Sequence, residues 1–182
     1  MIKEDRRIQK TKAAITEALL SLLEEKDFGQ ITIHEIAERA NVNRGTIYFH
    51  YEDKFALLSR IIDQKLDQLK NVCERITLES TPEELTKYFE AVYSFFADNR
   101  KFFTLMLSRA DTSQFRTKFK ALMLSEMRRD TMQSSTTYDK EFAEQFKVNA
   151  LVGIVEWWIH EDYHLSVEKM ALNTVTLFMR NR

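Results

Sequence analysis

Glycine, proline and cysteine are nearly missing from this chain, at three, one and one among 182 residues. So few breakers exclude a fold built on closely spaced β-hairpins and favour long helices. The lone cysteine, Cys73, excludes an intrachain disulfide and suits a reducing cytosol. No apolar run approaches membrane-spanning length; the longest candidate, residues 150–159, is interrupted by Glu156. The start, M-I-K-E-D-R-R, carries charges where a secretory leader needs an apolar core. The expectation is a cytoplasmic protein with no membrane partner.

Positive charge is not in excess either. The net charge is −1, so no global field draws nucleic acid to the chain. Residues 1–54 hold nine basic against ten acidic groups. The positive charge is local: residues 1–12 carry Lys3, Arg6, Arg7, Lys10 and Lys12 against Glu4 and Asp5. That fits contacts with a few phosphates and excludes a polybasic glove.

What the chain has is apolar mass, 44% of its residues, with 13 Phe, 6 Tyr and 2 Trp. The spacing of that mass is helical throughout. Ile8, Ile15, Ala18, Leu19, Leu22 and Leu23 mark one face of a first helix from about Arg6 to Lys26, which Phe28-Gly29 ends. Thr32-Ile-His-Glu35 reads as a capping box, with Ile33, Ile36, Ala37 and Ala40 inside. Asn43 can cap a following helix, and Asp53 opens a long one through Phe55, Leu58, Ile62, Leu66, Leu69, Cys73 and Ile76. Thr81-Pro82-Glu83-Glu84 is the clearest later boundary. Beyond it come a helix through Leu85–Phe96, a short one from Asp98-Asn99, and one from Asp111 to about Gln133. Ser134–Thr137 is a polar loop. Helices from Phe142 to about Tyr163 and from Ser166 onward complete the reading. The fold class is all-α with nine helices, divided into residues 1–54 and 55–182.

Thr32 to Leu58 carries the functional signal. Two short helices with a tight joint form a helix-turn-helix, whose second helix enters the major groove. At about 100° per residue, Ile47 and Tyr51 point inward, while Gly45 and Phe49 point out with Thr46 and Tyr48 on the flanks. Arg44 sits in the first turn, where a guanidinium can pair with guanine O6 and N7. Gly45 lets the backbone approach base edges, and the Phe49 ring can pack on a thymine methyl. Tyr48, His50 and Lys54 offer donors to phosphates, as do Thr32 and the amides behind it at a helix N-terminus.

Thr32, Ile36, Ala37, Ala40, Val42, Gly45, Thr46, Tyr48, Tyr51, Lys54 and Leu57 meet the spacing T-x-x-x-I-A-x-x-A-x-V-x-x-G-T-x-Y-x-x-Y/F-x-x-K-x-x-L. This resembles the signature of TetR-family transcriptional regulators. The resemblance implies a homodimer with an N-terminal three-helix DNA-binding domain and a C-terminal helical domain for effector binding and dimerisation. It implies a double-stranded, palindromic DNA operator as partner, with repression the commoner mode. DNA contacts then fall on Thr32, Asn43, Arg44, Gly45, Thr46, Tyr48, Phe49, His50 and Lys54. Asn41 stands where the family usually has glycine, and asparagine tolerates the left-handed backbone required there.

In the C-terminal half a helix apolar on nearly every side must be covered twice. Phe146, Ala150, Gly153, Ile154, Trp158, Val175 and Phe178 are the expected dimer interface. The pocket for a small, mainly apolar effector is implied by the resemblance, with Phe89, Phe96, Phe102, Phe103, Met106, Phe119, Met123 and Trp157 as lining. His160-Glu-Asp-Tyr-His164 has the spacing of a zinc-binding His-Glu-x-x-His helix. It lacks a third ligand and lies at its helix end. No metal, cofactor or enzyme activity is expected. The alternative reading is a helical ligand-binding or protein-interaction module whose helix-turn-helix no longer reads DNA.

Overall fold

The computed structural model describes residues 2–73, 81–130 and 139–180. Nine α-helices run along them: α1 Ile2–Glu25, α2 Ile33–Arg39, α3 Arg44–His50, α4 Lys54–Cys73, α5 Pro82–Asp98, α6 Arg100–Ser108, α7 Gln114–Asp130, α8 Lys140–His160 and α9 Val167–Arg180. Short 3-10 turns lie at Phe28–Gln30 and Ala110–Thr112, and there are no strands among the described residues. No helix among them is long and apolar enough to cross a membrane.

The helix starts follow from side chains that take up otherwise orphaned amides. Thr32 and Glu35 form a reciprocal capping box on α2, and Thr81 and Glu84 form another on α5, with Pro82 in the first turn. The Asn43 carboxamide caps α3, Asp53 accepts from the Ala56 amide at the head of α4, and Asp139 accepts from Phe142 at the head of α8. Ser166 accepts from the Lys169 amide at α9. The helix expected from Asp111 begins later, at Gln114, because residues 110–112 coil more tightly. Ile76, residues 131–133 and the loop Ser134–Thr137 lie outside the described residues.

The chain packs as two compact units: Met1–Lys65 with Arg109–Thr112, and Leu66–Ser108 with Ser113–Arg182. The first therefore runs on past residue 54 into α4 and takes in a four-residue segment from between α6 and α7. Its core is Ile15, Leu19, Leu23, Ile31, Ile36, Ile47, Leu57 and Leu58, all essentially inaccessible to solvent. Burying a side chain of this size contributes about 1.5–3 kcal/mol before entropy is counted. In the second unit α5 lies along α9 and α7 along α8. Tyr93 and Thr174 share a buried hydroxyl–hydroxyl bond of 2.7 Å across the α5–α9 seam. The indole N–H of Trp158 donates to the Leu165 carbonyl at 2.9 Å, tying the end of α8 to the start of α9.

Polar pairs fasten α1 to α2. Arg39 binds Glu25 through both terminal nitrogens and donates to Ser21, while Lys26 binds Glu35. The Lys26 ammonium, then the Thr32 hydroxyl and amide, hold the Glu35 carboxyl below its ordinary 4.5, at about 2. A carboxylate depressed in the folded state stabilises the fold above its unfolded pKa, and that stabilisation disappears as pH falls towards the folded one. Glu35→Gln should lower the melting temperature at pH 7 and flatten the acid-side decline between pH 4.5 and about 2. Coincident wild-type and variant melting curves across that window would contradict the assignment.

Candidate nucleic-acid interface

The joint between α2 and α3 is set by one residue in the left-handed region. Asn41 has φ 52°, and around it the Asn41 amide donates to the Glu38 carbonyl at 3.1 Å and the Val42 amide to Ala37 at 2.9 Å. This double closure is a Schellman-type stop, which normally takes glycine or asparagine. It delivers the chain to Asn43, whose side chain accepts from the Gly45 amide at 2.9 Å and starts α3.

On α3, Ile47 and Tyr51 are buried, anchoring the helix to the first unit. Arg44, Gly45, Tyr48 and Phe49 face outward, and Thr46 and His50 are half-buried. Phe49 is 82% exposed and Tyr48 57%, so two aromatic rings stand in water on a seven-residue helix. The His50 ring meets Phe49 edge-on at 5.0 Å, which orients it. Gly45 has no internal reason to be glycine: its φ is not positive, and an added Cβ would meet only the Asn43 carboxamide oxygen, at an ordinary 3.6 Å. A helical glycine costs up to about 1 kcal/mol relative to alanine, so the bare backbone faces outward at a cost to the fold.

Two expected phosphate donors are occupied. The Lys54 ammonium donates to the carbonyls of Phe28, Gly29 and Ile31 at 2.8, 2.8 and 2.7 Å, which uses all three of its protons. It lies 5.0 Å from the centre of the Phe28 ring. Lys54 thus fastens the 28–31 loop. The Thr32 hydroxyl donates to the Glu35 carboxylate and accepts from its amide, so it serves the capping box. Opposite Lys54, the Phe28 amide donates to Asp111 at 2.7 Å, and Arg109 donates to Asp111, Asp27 and the Leu23 carbonyl. Nothing in the local sequence around Arg109 announces this service to a loop some eighty residues earlier.

Among the described residues, the eight side chains expected to line a pocket do not gather at one place. Phe96 packs on Phe103 at 4.5 Å and on Phe119 at 5.8 Å, and Phe102 on Phe103 at 5.2 Å. Phe115, absent from the expected set, stacks on Phe119 and fills the space between. Met106 is buried beside them on α6, Met123 is half-buried on α7, and Phe89 packs on Phe178 instead. Trp157 is 45% exposed, its ring against His164.

The expected dimer residues also divide. Trp158 and Val175 are buried within the protomer, so neither is open to a partner, and Phe178 is half-buried against Phe89. Phe146 is exposed, as is Gly153, with Ala150 and Ile154 half-buried. The outward stripe of α8 is Phe142, Phe146, Ala150, Gly153 and Trp157, joined on α9 by exposed Leu172 and Leu177. The three-and-four spacing of Phe142, Phe146, Gly153 and Trp157 was the signal for this face. A helix apolar all round conceals which stripe is outermost.

The zinc-like spacing does not form a helical pair. Helix α8 ends at His160, and Asp162 and Tyr163 turn left-handed at φ 55° and 58°, carrying His164 off the helix. Arg100 holds this turn by donating to the Asp162 carbonyl and lying 4.5 Å over the Tyr163 ring. Among the described residues no group of three or more His, Cys, Asp or Glu side chains could hold a metal ion.

Residues 15–61 match the family model described as bacterial regulatory proteins, tetR family, and residues 83–180 match one described as a transcriptional regulator C-terminal region. The helix-turn-helix regulator YxbF of Bacillus subtilis (strain 168) is 27% identical over 96% of this chain and 46% of its own length. A second regulator of that organism, YerO, is 30% identical over 53% of this chain and 35% of its own. The chain thus spans about half the length, or less, of the curated relatives it matches. Among solved structures, a TetR transcriptional regulator from Streptococcus agalactiae 2603V superposes with a TM-score of 0.71 at 27% identity, over 97% of both chains. FadR from Bacillus subtilis, in complex with stearoyl-CoA, has a TM-score of 0.67 at 17% identity, over 91% of this chain and 96% of that one.

Lys54→Met should cost about 2–4 kcal/mol, because three loop carbonyls lose a charged donor together. Thermal unfolding measures that loss. In a DNA titration against salt, the variant should keep the wild-type slope; a slope reduced as a lost phosphate contact requires would return Lys54 to the interface.

Proposed function

This chain belongs to the TetR family of transcriptional regulators, and we propose that it works as a homodimeric repressor of a palindromic operator. The observation that carries the reading is the outward face of α3. A glycine with no internal purpose, a guanidinium and two exposed aromatic rings lie together on a helix whose other side is anchored by Ile47 and Tyr51. In this reading Arg44 pairs with a guanine, the backbone at Gly45 closes on base edges, and Phe49 covers a thymine methyl. Tyr48, Thr46 and His50 bind the flanking phosphates, and Asn43 fixes the helix end that approaches them. Occupancy of the groove then competes with transcription.

A single copy of so small a contact set binds weakly, and two copies on one duplex add their contacts. The α8 stripe supports the pairing: Phe142 and Phe146 are 67% and 63% exposed, two large rings left in water on one helix face. Gly153 lies on the same stripe, and a Cβ there would meet nothing within 4 Å of its own chain. Its bareness serves a close helix crossing with the second copy.

The effector in this reading is small and mainly apolar, matching the aromatic interior of the second unit. The FadR structure, a similar fold, holds stearoyl-CoA, whose acyl chain is the kind of apolar group such an interior takes. Because Phe96, Phe102, Phe103, Phe115 and Phe119 touch one another, an effector must part them. Opening about 150 Å³ costs roughly 3–4 kcal/mol at about 24 cal/mol per Å³, which discounts its affinity and sets the threshold for release from DNA.

With a duplex selected from a random pool by the wild-type chain, Gly45→Ala should raise the melting temperature and weaken binding at least tenfold. A variant that is more stable and binds DNA as tightly would remove the α3 face from the interface and favour a module that no longer reads DNA. Phe146→Glu should sediment as a folded monomer with a hundredfold or greater loss of affinity for the same duplex. Retention of the dimer would relocate the interface.

A further inference from the structure

We infer that Arg100 clasps a strained corner between α8 and α9, and that through this clasp the state of the aromatic interior sets the strength of dimerisation. The inference rests on the homodimer reading above and adds to it a route by which the interior acts on the interface.

The strain lies in the backbone. After α8 ends at His160, the Tyr163 amide donates to the Trp158 carbonyl at 2.8 Å and the Asp162 amide to Ile159 at 3.1 Å. Bonds of this kind close a Schellman-type stop, which takes one left-handed residue and usually places glycine there. Here two successive residues are left-handed, Asp162 at φ 55° and Tyr163 at φ 58°. Aspartate tolerates that region. A side chain as bulky as tyrosine is an outlier in it, and persists only where its surroundings hold it.

What holds Tyr163 is α6. Arg100, the first residue of that helix, donates to the Asp162 carbonyl at 2.9 Å and also binds the Asp162 carboxylate. Its guanidinium lies 4.5 Å from the centre of the Tyr163 ring, a cation over a π face. The same ring meets that of buried Trp158 at 4.8 Å. The Asp162 carboxylate is 91% exposed, so the ion pair itself contributes little. The carbonyl bond and the ring contacts fix the two left-handed residues where α8 gives way to α9.

The clasp joins two regions with different tasks. On one side, Phe102 and Phe103 follow Arg100 within a single turn of α6 and pack on Phe96 and Phe115. A nine-residue helix moves as a unit, so parting those rings carries Arg100 along. On the other side, the corner sets the first turn of α9 against the end of α8, where Trp158 also binds the Leu165 carbonyl. The exposed faces of these two helices, Phe142, Phe146 and Trp157 with Leu172 and Leu177, form the surface proposed to pair. Once Arg100 withdraws, the corner relaxes in a free protomer, and pairing must restore it. An opened interior therefore weakens the dimer, and by linkage the dimer favours a closed interior.

The test is sedimentation equilibrium of the full chain as wild type, Arg100→Met, Tyr163→Gly and the two changes combined, with circular dichroism establishing that each is folded. Arg100→Met should weaken self-association about tenfold, the equilibrium equivalent of one side chain left unsupported in the left-handed region. Adding Tyr163→Gly should restore it, because glycine occupies that region without strain. Asp162→Gly, which keeps the ring, should restore part of it in the same background. A side chain that merely packed on Arg100 would give further loss in the combined variant instead. Phe103→Leu, which loosens the rings beside the clasp, should weaken pairing when Arg100 is present and have no effect in the Arg100→Met chain. Unchanged pairing in Arg100→Met, or no restoration by either glycine, would overturn the clasp. Additive losses from Arg100→Met and Phe103→Leu would overturn its link to the interior. A wild-type chain that stays monomeric would overturn the homodimer reading and the role in pairing with it, a result distinct from the others.

Discussion

One ammonium holds the DNA-binding unit in register. Lys54, at the head of α4, satisfies the carbonyls of Phe28, Gly29 and Ile31 in the loop that leads into α2. Asp111 takes the Phe28 amide from the other side, its carboxyl held below the ordinary range by the Arg109 guanidinium beside it. The loop is therefore fixed through both its donors and its acceptors. Backbone groups that would otherwise need water are paired, which allows Phe28 and Ile31 to be buried within it. The position of α2, and through the Asn41 turn that of α3, follows from this anchoring.

The same economy separates cations by task. Lys26, Arg39, Lys54 and Arg109 are bound by carboxylates or carbonyls and hold the first unit together; Arg44 on α3 and Arg6, Arg7 and Lys10 on α1 are exposed. A protein of net charge −1 can bind a polyanion on this plan, since affinity depends on the few positive groups that reach phosphates. In the proposed complex, specificity falls to short-range contacts on α3. Two aromatic rings, Tyr48 and Phe49, stand exposed there, and in that complex the duplex covers them.

Much of the helical plan was legible in the sequence because it depends on local chemistry. Thr32–Glu35, Asn43, Asp53, Thr81–Glu84 and Ser166 are caps whose function needs only residues three or four places away, and each caps as its type dictates. Of the inward set, Ile36, Ala37, Ile47 and Tyr51 are buried and Ala40 and Val42 half-buried, whereas Ile8 and Phe55, on the expected apolar faces of α1 and α4, are exposed. What the chain concealed is tertiary. Lys54 matches a donor's place in the family pattern, yet its protons go to a loop that no spacing rule connects to it. Trp158 and Trp157 are adjacent, and only packing decides that the first is buried on Tyr93 while the second faces out. The aromatic residues of α5, α6 and α7 have the composition of a pocket, but composition cannot distinguish rings that line a space from rings that fill it.

In the proposed homodimer two copies present their α3 helices to successive major grooves on one side of a duplex. Hydroxyl-radical footprinting of the wild-type chain on its selected duplex reads this arrangement directly. Two dyad-related patches of protection, about one helical turn or roughly 34 Å apart on the same face, are the predicted result. A single patch without dyad symmetry, or protection independent of sequence, would contradict it.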